Sequence, residues 1–467
     1  MNAVTNAAIK DFSHSPDKAQ FPGPLSAAML EELNNYVVME PEPYVVDIQK
    51  SHGMYLVTAE GQEIFDWGGY YGSKLLGHNH PGLYEADYTR RLVFAANNKI
   101  ANPDYLTPEC LEYYRLLHSL APRCMRNEKL EVYAVNSGAE AVENVMKYLL
   151  VLHQEKFHSK DGTPTARRFL YFDRAFHGRT VFALNVTQPL HDPVITRSFN
   201  GFSPGNLCVP FPSTDSSQPP TWNAERTRRS LEIIEQSLRN YPREIVGIIV
   251  EPLQGAGGHR MAEAAFFRQL SELAHKYDTF LAFDEVQTAG GQTGTMFACD
   301  QFDLPYPPQA VAVGKKFANG AVYMQCSMEN LGVLDSTWGG SLADMVRFVQ
   351  EMKIVERENL LAQVPEKAAV LTGGLHALCE KYPQLMFNVR GMGLYQGFTL
   401  RSRELKAQLR DLALEEEHML LLSGGMQSIR FRPVLDVTIS DIELMLQKLE
   451  RCLARLAANS PEIKTTS

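Results

Sequence analysis

Thr279-Phe280-Leu281-Ala282-Phe283-Asp284-Glu285-Val286-Gln287-Thr288 sets a short apolar run against two adjacent acids. A run of this kind predicts a buried strand over 279–283, with the acids at its carboxyl end. A half-buried carboxylate there needs a cationic partner or a ligand, although a helix cap or a surface pair would look the same in isolation. Similar runs predict strands at 130–136, 168–172, 245–250 and 310–313, and apolar residues at helical spacing fill intervals such as 226–238 and 266–277. Strands alternating with helices imply an α/β fold with a mostly parallel central sheet. Such sheets bind ligands beyond the carboxyl ends of their strands, so chemistry is sought in the residues that follow each one.

Toward both chain ends the pattern changes. Short strands are predicted at 44–49, 54–58 and 63–67 around the Glu60-Gly61 turn, and from about Ser341 long helices return with small strands at 394–400 and 427–431. The expected division is an N-terminal arm and part of a small domain over 1–100, a large domain over 101–345, and the rest of a small α+β domain over 346–467. The Pro-rich stretch 209–220 reads as an excursion loop. The 467 residues carry 54 acidic and 45 basic side chains, a net charge of −9 that argues against a dedicated nucleic-acid binder. Residues 1–20 hold no apolar run, so neither a secretory signal nor a membrane span is expected there. Seven scattered cysteines without a C-x-x-C motif fit reduced thiols in the cytoplasm.

Four segments carry the chemistry. Ala310-Val311-Ala312-Val313-Gly314-Lys315-Lys316 ends a strand in Gly-Lys, where burial can depress a lysine's pKa and make it nucleophilic toward an aldehyde. Lone lysines after strands are usually solvated, but paired with Asp284 this one matches what pyridoxal 5′-phosphate (PLP) needs. That cofactor takes an amine for its aldehyde and a carboxylate for its pyridine nitrogen. Val135-Asn136-Ser137-Gly138-Ala139-Glu140-Ala141 opens a helix on small residues, so backbone N–H groups can approach a phosphate. It has neither Walker nor Rossmann spacing, and a plain structural turn would look much the same. Arg174-Ala175-Phe176-His177-Gly178-Arg179 offers an aromatic to stack on a flat ring and an arginine for a carboxylate, against the ordinary reading of a core phenylalanine and a surface arginine.

In this order the four segments resemble the class III (ω-amino) aminotransferases of PLP fold type I, from about Tyr44 to Leu456. Supporting stretches are Gly77-His78-Asn79-His80-Pro81, Glu251-Pro252-Leu253-Gln254-Gly255 and Ser336-Thr337-Trp338-Gly339-Gly340. Within the class the chain is most similar to L-lysine 6-aminotransferases, with Asn98-Lys99-Ile100-Ala101-Asn102 and Ile429-Arg430-Phe431-Arg432-Pro433 among the matching stretches; 4-aminobutyrate aminotransferases share several of them. The resemblance implies transfer of a terminal amino group from an amino acid such as lysine to a 2-oxo acid such as 2-oxoglutarate. It implies Lys315 as the Schiff-base lysine, Asp284 as the pyridine partner and Gln287 near the phenolic oxygen, with Lys316 as a neighbour without a catalytic role. Ser137, Gly138 and Ala139 would hold the phosphate, Phe176 would stack on the ring, and Thr337 would reach the phosphate of the other subunit of a homodimer. Arg179 would take the donor carboxylate and Arg430 the α-carboxylate of 2-oxoglutarate. His78 and His80 read as part of a turn rather than a metal site, and His177 as support for the Phe176 loop.

One position departs from the family. Gln254-Gly255-Ala256-Gly257-Gly258 has alanine where the lysine and 4-aminobutyrate enzymes carry a glutamate that masks the arginine matching Arg430. Arg430 should then present a lasting positive charge, so that either the donor or acceptor differs from the lysine/2-oxoglutarate pair or another acid such as Glu285 compensates. The interval from Lys315 to Thr337 is also short for the family. Rival readings keep the cofactor but end in elimination, decarboxylation or racemisation, since fold does not fix reaction, or retain the fold for binding alone.

Overall fold

In the computed structural model the described residues are 22–37, 39, 41–158, 166–199, 205–328 and 331–459; the predicted N-terminal arm at 1–20 lies outside them. Among these, seven strands form the main sheet in the order Glu131–Val135, Gly320–Met324, Ala310–Val313, Phe280–Asp284, Ile245–Val250, Arg168–Phe172 and Leu207–Val209. Gly320–Met324 runs antiparallel to both neighbours, and every other pairing is parallel. Ile245–Val250 and Ala310–Val313 are buried throughout, as strands covered on both faces must be.

Side-chain alternation fixes which way the strand tips point. Leu281, Phe283, Val311 and Val313 join a core with Phe172, Phe211, Phe266 and Phe267. Ala282, Ala310 and Ala312 face the opposite core, beside Ala141, Val145 and Leu149 of helix Gly138–His158, and their small side chains let that helix approach the sheet closely. Asp284 shares the parity of Ala282 and therefore projects on the side where the helix begins.

The two chain ends meet in one small sheet, where Met419 and Leu420 pair parallel with Phe65 and Asp66. A four-stranded sheet follows, Met386–Met392, Tyr395–Leu400, Ser428–Arg430 and Leu422–Gly424. The strand predicted at 44–49 is absent: only Val46 bridges Thr58, and the Asp47 side chain accepts the N–H groups of Gln49 (3.1 Å) and Lys50 (3.3 Å), which turns the chain instead. The loop predicted at 209–220 is shorter than expected, because Val209 ends a parallel edge strand and Pro220 starts a helix running to Asn240. Among the described residues no helix is long and apolar enough to cross a membrane.

Candidate active site

Five parallel strands deliver Ser137 to Ala139, Asp173 to Arg179, Glu251, Asp284 and Lys315 at the same edge of the sheet. Gly138, Ala139, Phe176, Glu251, Asp284 and Lys315 line one cavity of about 350 Å³. The loops approach through missing side chains. A Cβ at Gly314 would lie 2.9 Å from the Gly138 Cα, and one at Gly138 would lie 2.5 Å from Val286 Cγ1. Gly138→Ala should therefore cost about 1–3 kcal/mol by overpacking, despite alanine's better helix propensity, and a lowered denaturant midpoint would register it.

Lys315 begins a short helical turn with φ of 51°, a left-handed conformation that costs an L-residue energy. Its Nζ donates to the Tyr71 carbonyl at 2.9 Å. Burial and the nearby positive charges of Arg430 and Arg432 push its pKa down to about 7, against the pull of Asp284 and Glu251. Lys316 points elsewhere: buried, it donates to the carbonyls of Gly72 and Gln287 and to the Tyr395 hydroxyl, so its role is structural.

Asp284 accepts the Val286 N–H at 3.0 Å and lies 2.7 Å from His177 Nδ1. Burial favours the neutral imidazole, but the bond to Asp284 and the charges of Asp284 and Glu251 outweigh it, so His177 holds its proton more tightly than an exposed histidine. His177 thus supports the Asp284 carboxylate directly as well as its own loop, where its N–H donates to the Thr187 hydroxyl at 2.9 Å. Glu251, unassigned by the sequence reading, is buried, lines the cavity and accepts the Phe176 N–H at 3.0 Å; burial raises its pKa to about 7.

Arg430 and Arg432 lie behind this wall, both buried, with no carboxylate in ion-pair contact among the described residues. Gln287 Oε1 accepts from Arg430 Nη1 at 3.3 Å and from Arg432 Nε and Nη2 at 3.2 and 3.0 Å. Arg432 also meets His259 Nδ1 at 3.1 Å, while His259 Nε2 lies 3.2 Å from the Arg390 carbonyl. These partners fix the tautomer: Nε2 carries the hydrogen and Nδ1 accepts from the guanidinium. Burial lowers Arg430 to about 10 and Arg432 to about 9, so both stay charged at neutral pH.

Glu285 does not compensate for Ala256. Its carboxylate accepts the Thr288 hydroxyl (2.5 Å) and the N–H groups of Ala298 (3.0 Å) and Cys299 (2.7 Å), which ties it to the following loop. Ala256 itself lines the cavity. Ser137 caps the helix by accepting the Glu140 N–H at 3.2 Å and lies outside the lining. Arg179 is exposed at the rim, its guanidinium 6.0 Å from the Phe176 ring centre. Thr337 is exposed and outside the cavity of its own chain. His78 and His80 serve separate contacts: His78 meets the Tyr70 ring edge-on, and His80 accepts the Gly82 N–H at 3.1 Å.

Sequence reading missed the segment that closes the site from the N-terminal side. Gly69, Tyr70, Tyr71 and Gly72 have φ of 52°, 50°, 60° and 77°, four successive residues in the left-handed region. The Asp66 carboxylate anchors the turn by accepting the N–H groups of Gly68 and Gly69 at 2.8 and 3.0 Å. A side chain at Gly69 would collide with the Arg432 carbonyl, its Cβ 2.2 Å away. The turn aims the Tyr71 carbonyl at Lys315 and at Gln287 Nε2 (3.2 Å), and the Gly72 carbonyl at Lys316. The three glycines of Gly68-Gly69-Tyr70-Tyr71-Gly72 were the available signal.

These residues fit PLP: an amine close to neutrality, an acid on another strand tip, a flat aromatic wall and a helix N-terminus with space only for glycine all face one cavity. Residues 36–453 match the family model described as aminotransferase class-III. An L-lysine-epsilon aminotransferase from Amycolatopsis lactamdurans is 30% identical over 92% of this chain and 97% of its own. A 4-aminobutyrate aminotransferase from Schizosaccharomyces pombe is 28% identical over 92% of this chain and 94% of its own. The solved lysine aminotransferase from M. tuberculosis, in the internal aldimine form, superposes with a TM-score of 0.86 at 28% identity, covering 92% of this chain and 99% of that one.

Proposed function

The chain belongs to the class III aminotransferases, PLP enzymes of fold type I, and from that premise we propose that it moves the terminal amino group of L-lysine, or of an ω-amino acid of similar reach, to a 2-oxo acid such as 2-oxoglutarate. The observation that carries this reading is the convergence of Lys315 and Asp284 on one cavity with Arg179 at its rim. PLP, when bound, supplies the aldehyde carbon that takes the amino group and a ring that spreads the charge left when a C–H bond breaks.

The protein's part is positioning and proton transfer. Arg179 takes the donor carboxylate at the rim, so the far amino end reaches the strand tips. Lys315, with a pKa near 7, is neutral in a substantial fraction of molecules at physiological pH and removes the proton from the carbon that bears nitrogen. Asp284, steadied by His177, holds a proton on the ring nitrogen. Gly138 and Ala139 would present N–H groups to the phosphate, and the left-handed turn at 69–72 holds the Lys315 amine through the Tyr71 carbonyl. Arg430 receives the acceptor's α-carboxylate in place of the Gln287 oxygen that it now holds.

An amine panel assayed with 2-oxoglutarate and with pyruvate tests this reading. Lysine turnover with 2-oxoglutarate is the expected result; turnover of 4-aminobutyrate without lysine would move the assignment to the activity of the second relative. Stoichiometric conversion of bound cofactor to its pyridoxamine form separates transfer from elimination.

The working unit in this proposal is a homodimer, with Thr337 reaching the partner's phosphate. Tyr84, Phe94, Tyr105 and Leu106 are each more than 60% exposed, large apolar side chains that a lone chain would leave in water. Tyr105 and Leu106 follow a segment that touches the Thr337 loop, because Asn102 donates to the Trp338 and Gly340 carbonyls and Lys99 lies over the Trp338 ring. Replacing Tyr105 and Leu106 with aspartate should shift sedimentation from dimer to monomer and abolish activity.

A further inference from the structure

The cavity holds more fixed positive charge than fixed negative charge, and one acid in its wall is not committed. Arg430 and Arg432 are buried without a carboxylate in ion-pair contact among the described residues, and Ala256 leaves that side of the cavity without an acid. Asp284 is engaged by His177 and the Val286 N–H, and Glu285 by Thr288, Ala298 and Cys299. Glu251 alone combines burial, a place in the lining and a single hydrogen bond, that from the Phe176 N–H. The charged groups that face it are His177 on the Phe176 loop, Asp284 on the neighbouring strand tip, Lys315, and Arg430 from strand Ser428–Arg430. Arg430 reaches the same cavity at Gly255, where a Cβ would lie 2.8 Å from its Nη1, and the Glu251 carboxyl in that lining is an acid whose charge opposes it.

The two substrates of the proposed reaction make opposite demands on such a site. A donor with one carboxylate, bound at Arg179, leaves Arg430 without a counter-charge. A dicarboxylic 2-oxo acid pairs with both arginines, and an ionised Glu251 would then repel it in a poorly screened interior. We propose that Glu251 carries the charge change between the two half-reactions, ionised opposite Arg430 while the donor is bound and protonated when the second carboxylate arrives. A bound proton does here what a moving acidic side chain would otherwise do. A carboxyl that titrates near 7 can make this exchange at physiological pH. The inference rests on the reading that the acceptor carries two carboxylates.

Glutarate, a five-carbon dicarboxylate with neither ketone nor amine, tests it by binding the holoenzyme without reacting. Calorimetry in buffers of different ionisation enthalpy counts the protons taken up, and the cofactor's absorbance reads separately any proton gained at the Lys315 nitrogen. Wild type should take up roughly half a proton per site at pH 7 beyond that optical change, and its Kd should weaken by up to about tenfold per unit as pH rises from 6 to 8. Glu251→Gln, which keeps an oxygen for the Phe176 N–H, should lose the extra uptake and flatten the Kd profile. Equal uptake by the variant overturns the proposal. Failure of wild type to bind glutarate instead removes the dicarboxylate acceptor, and this inference with it.

Discussion

Lys315→Ala should turn over at least about 10⁴-fold more slowly than wild type, the upper range for losing a positioned base, and should hold its cofactor without a covalent bond. Among the described residues no other lysine lines the cavity. Lys316 is the nearest in sequence, but its Nζ is spent on the Gly72 and Gln287 carbonyls and the Tyr395 hydroxyl. Lys315 alone combines a place in the cavity lining with a pKa lowered to about 7 by burial and by Arg430 and Arg432. Borohydride reduction followed by intact mass measurement checks attachment, and single-turnover kinetics check the rate. A variant that stays covalently loaded and fully active would refute the assignment.

Asp284→Asn should lower kcat by roughly 10²–10³, the usual scale for removing a buried group that stabilises developing charge. Asparagine is nearly isosteric and can still accept the Val286 N–H, so the loss would come from the charge. A second readout separates this from misfolding. In wild type the Asp284 bond raises the His177 pKa above its ordinary value despite burial. The stability from that pair is therefore fully present below the unfolded-state pKa of about 6.5 and fades as pH rises through the folded value. The variant should show a lowered His177 pKa by NMR and lose the extra stability at acid pH. An unchanged histidine titration would mean that the 2.7 Å contact does not carry the charge interaction argued for it.

Much of this was legible in the chain because parallel strands read as continuous apolar runs. Ile245–Val250 and Ala310–Val313 fall where the runs predicted, and the rule that ligands sit beyond strand tips then gathers Asp284, Lys315 and Gly138 from sequence alone. Gly320–Met324 was missed because its Gly-Ala start lacks a β-branched signal, and one of the two neighbours that bury it, Glu131–Val135, is distant in sequence. Arg432 was quoted within a motif without a role, because its contacts to Gln287 and His259 span 145 and 173 residues. Glu251 was quoted likewise, and only burial beside Lys315 and Arg430 distinguishes it from an ordinary acid after a strand. Glu285 was offered as a compensating charge, and three donors from the following loop hold it elsewhere.

The turn at 69–72 sets a condition on how the enzyme is made. Its carbonyls aim at Lys315 and Lys316, while its own seat is the backbone of Arg432, whose N–H donates to Trp67 at 2.9 Å. The nascent polypeptide must therefore leave the ribosome almost to its last helix before the amine is fixed in place. Cofactor capture becomes a late event in biogenesis, and a fragment that ends before residue 430 should emerge from translation as a scaffold in which Lys315 is not yet held.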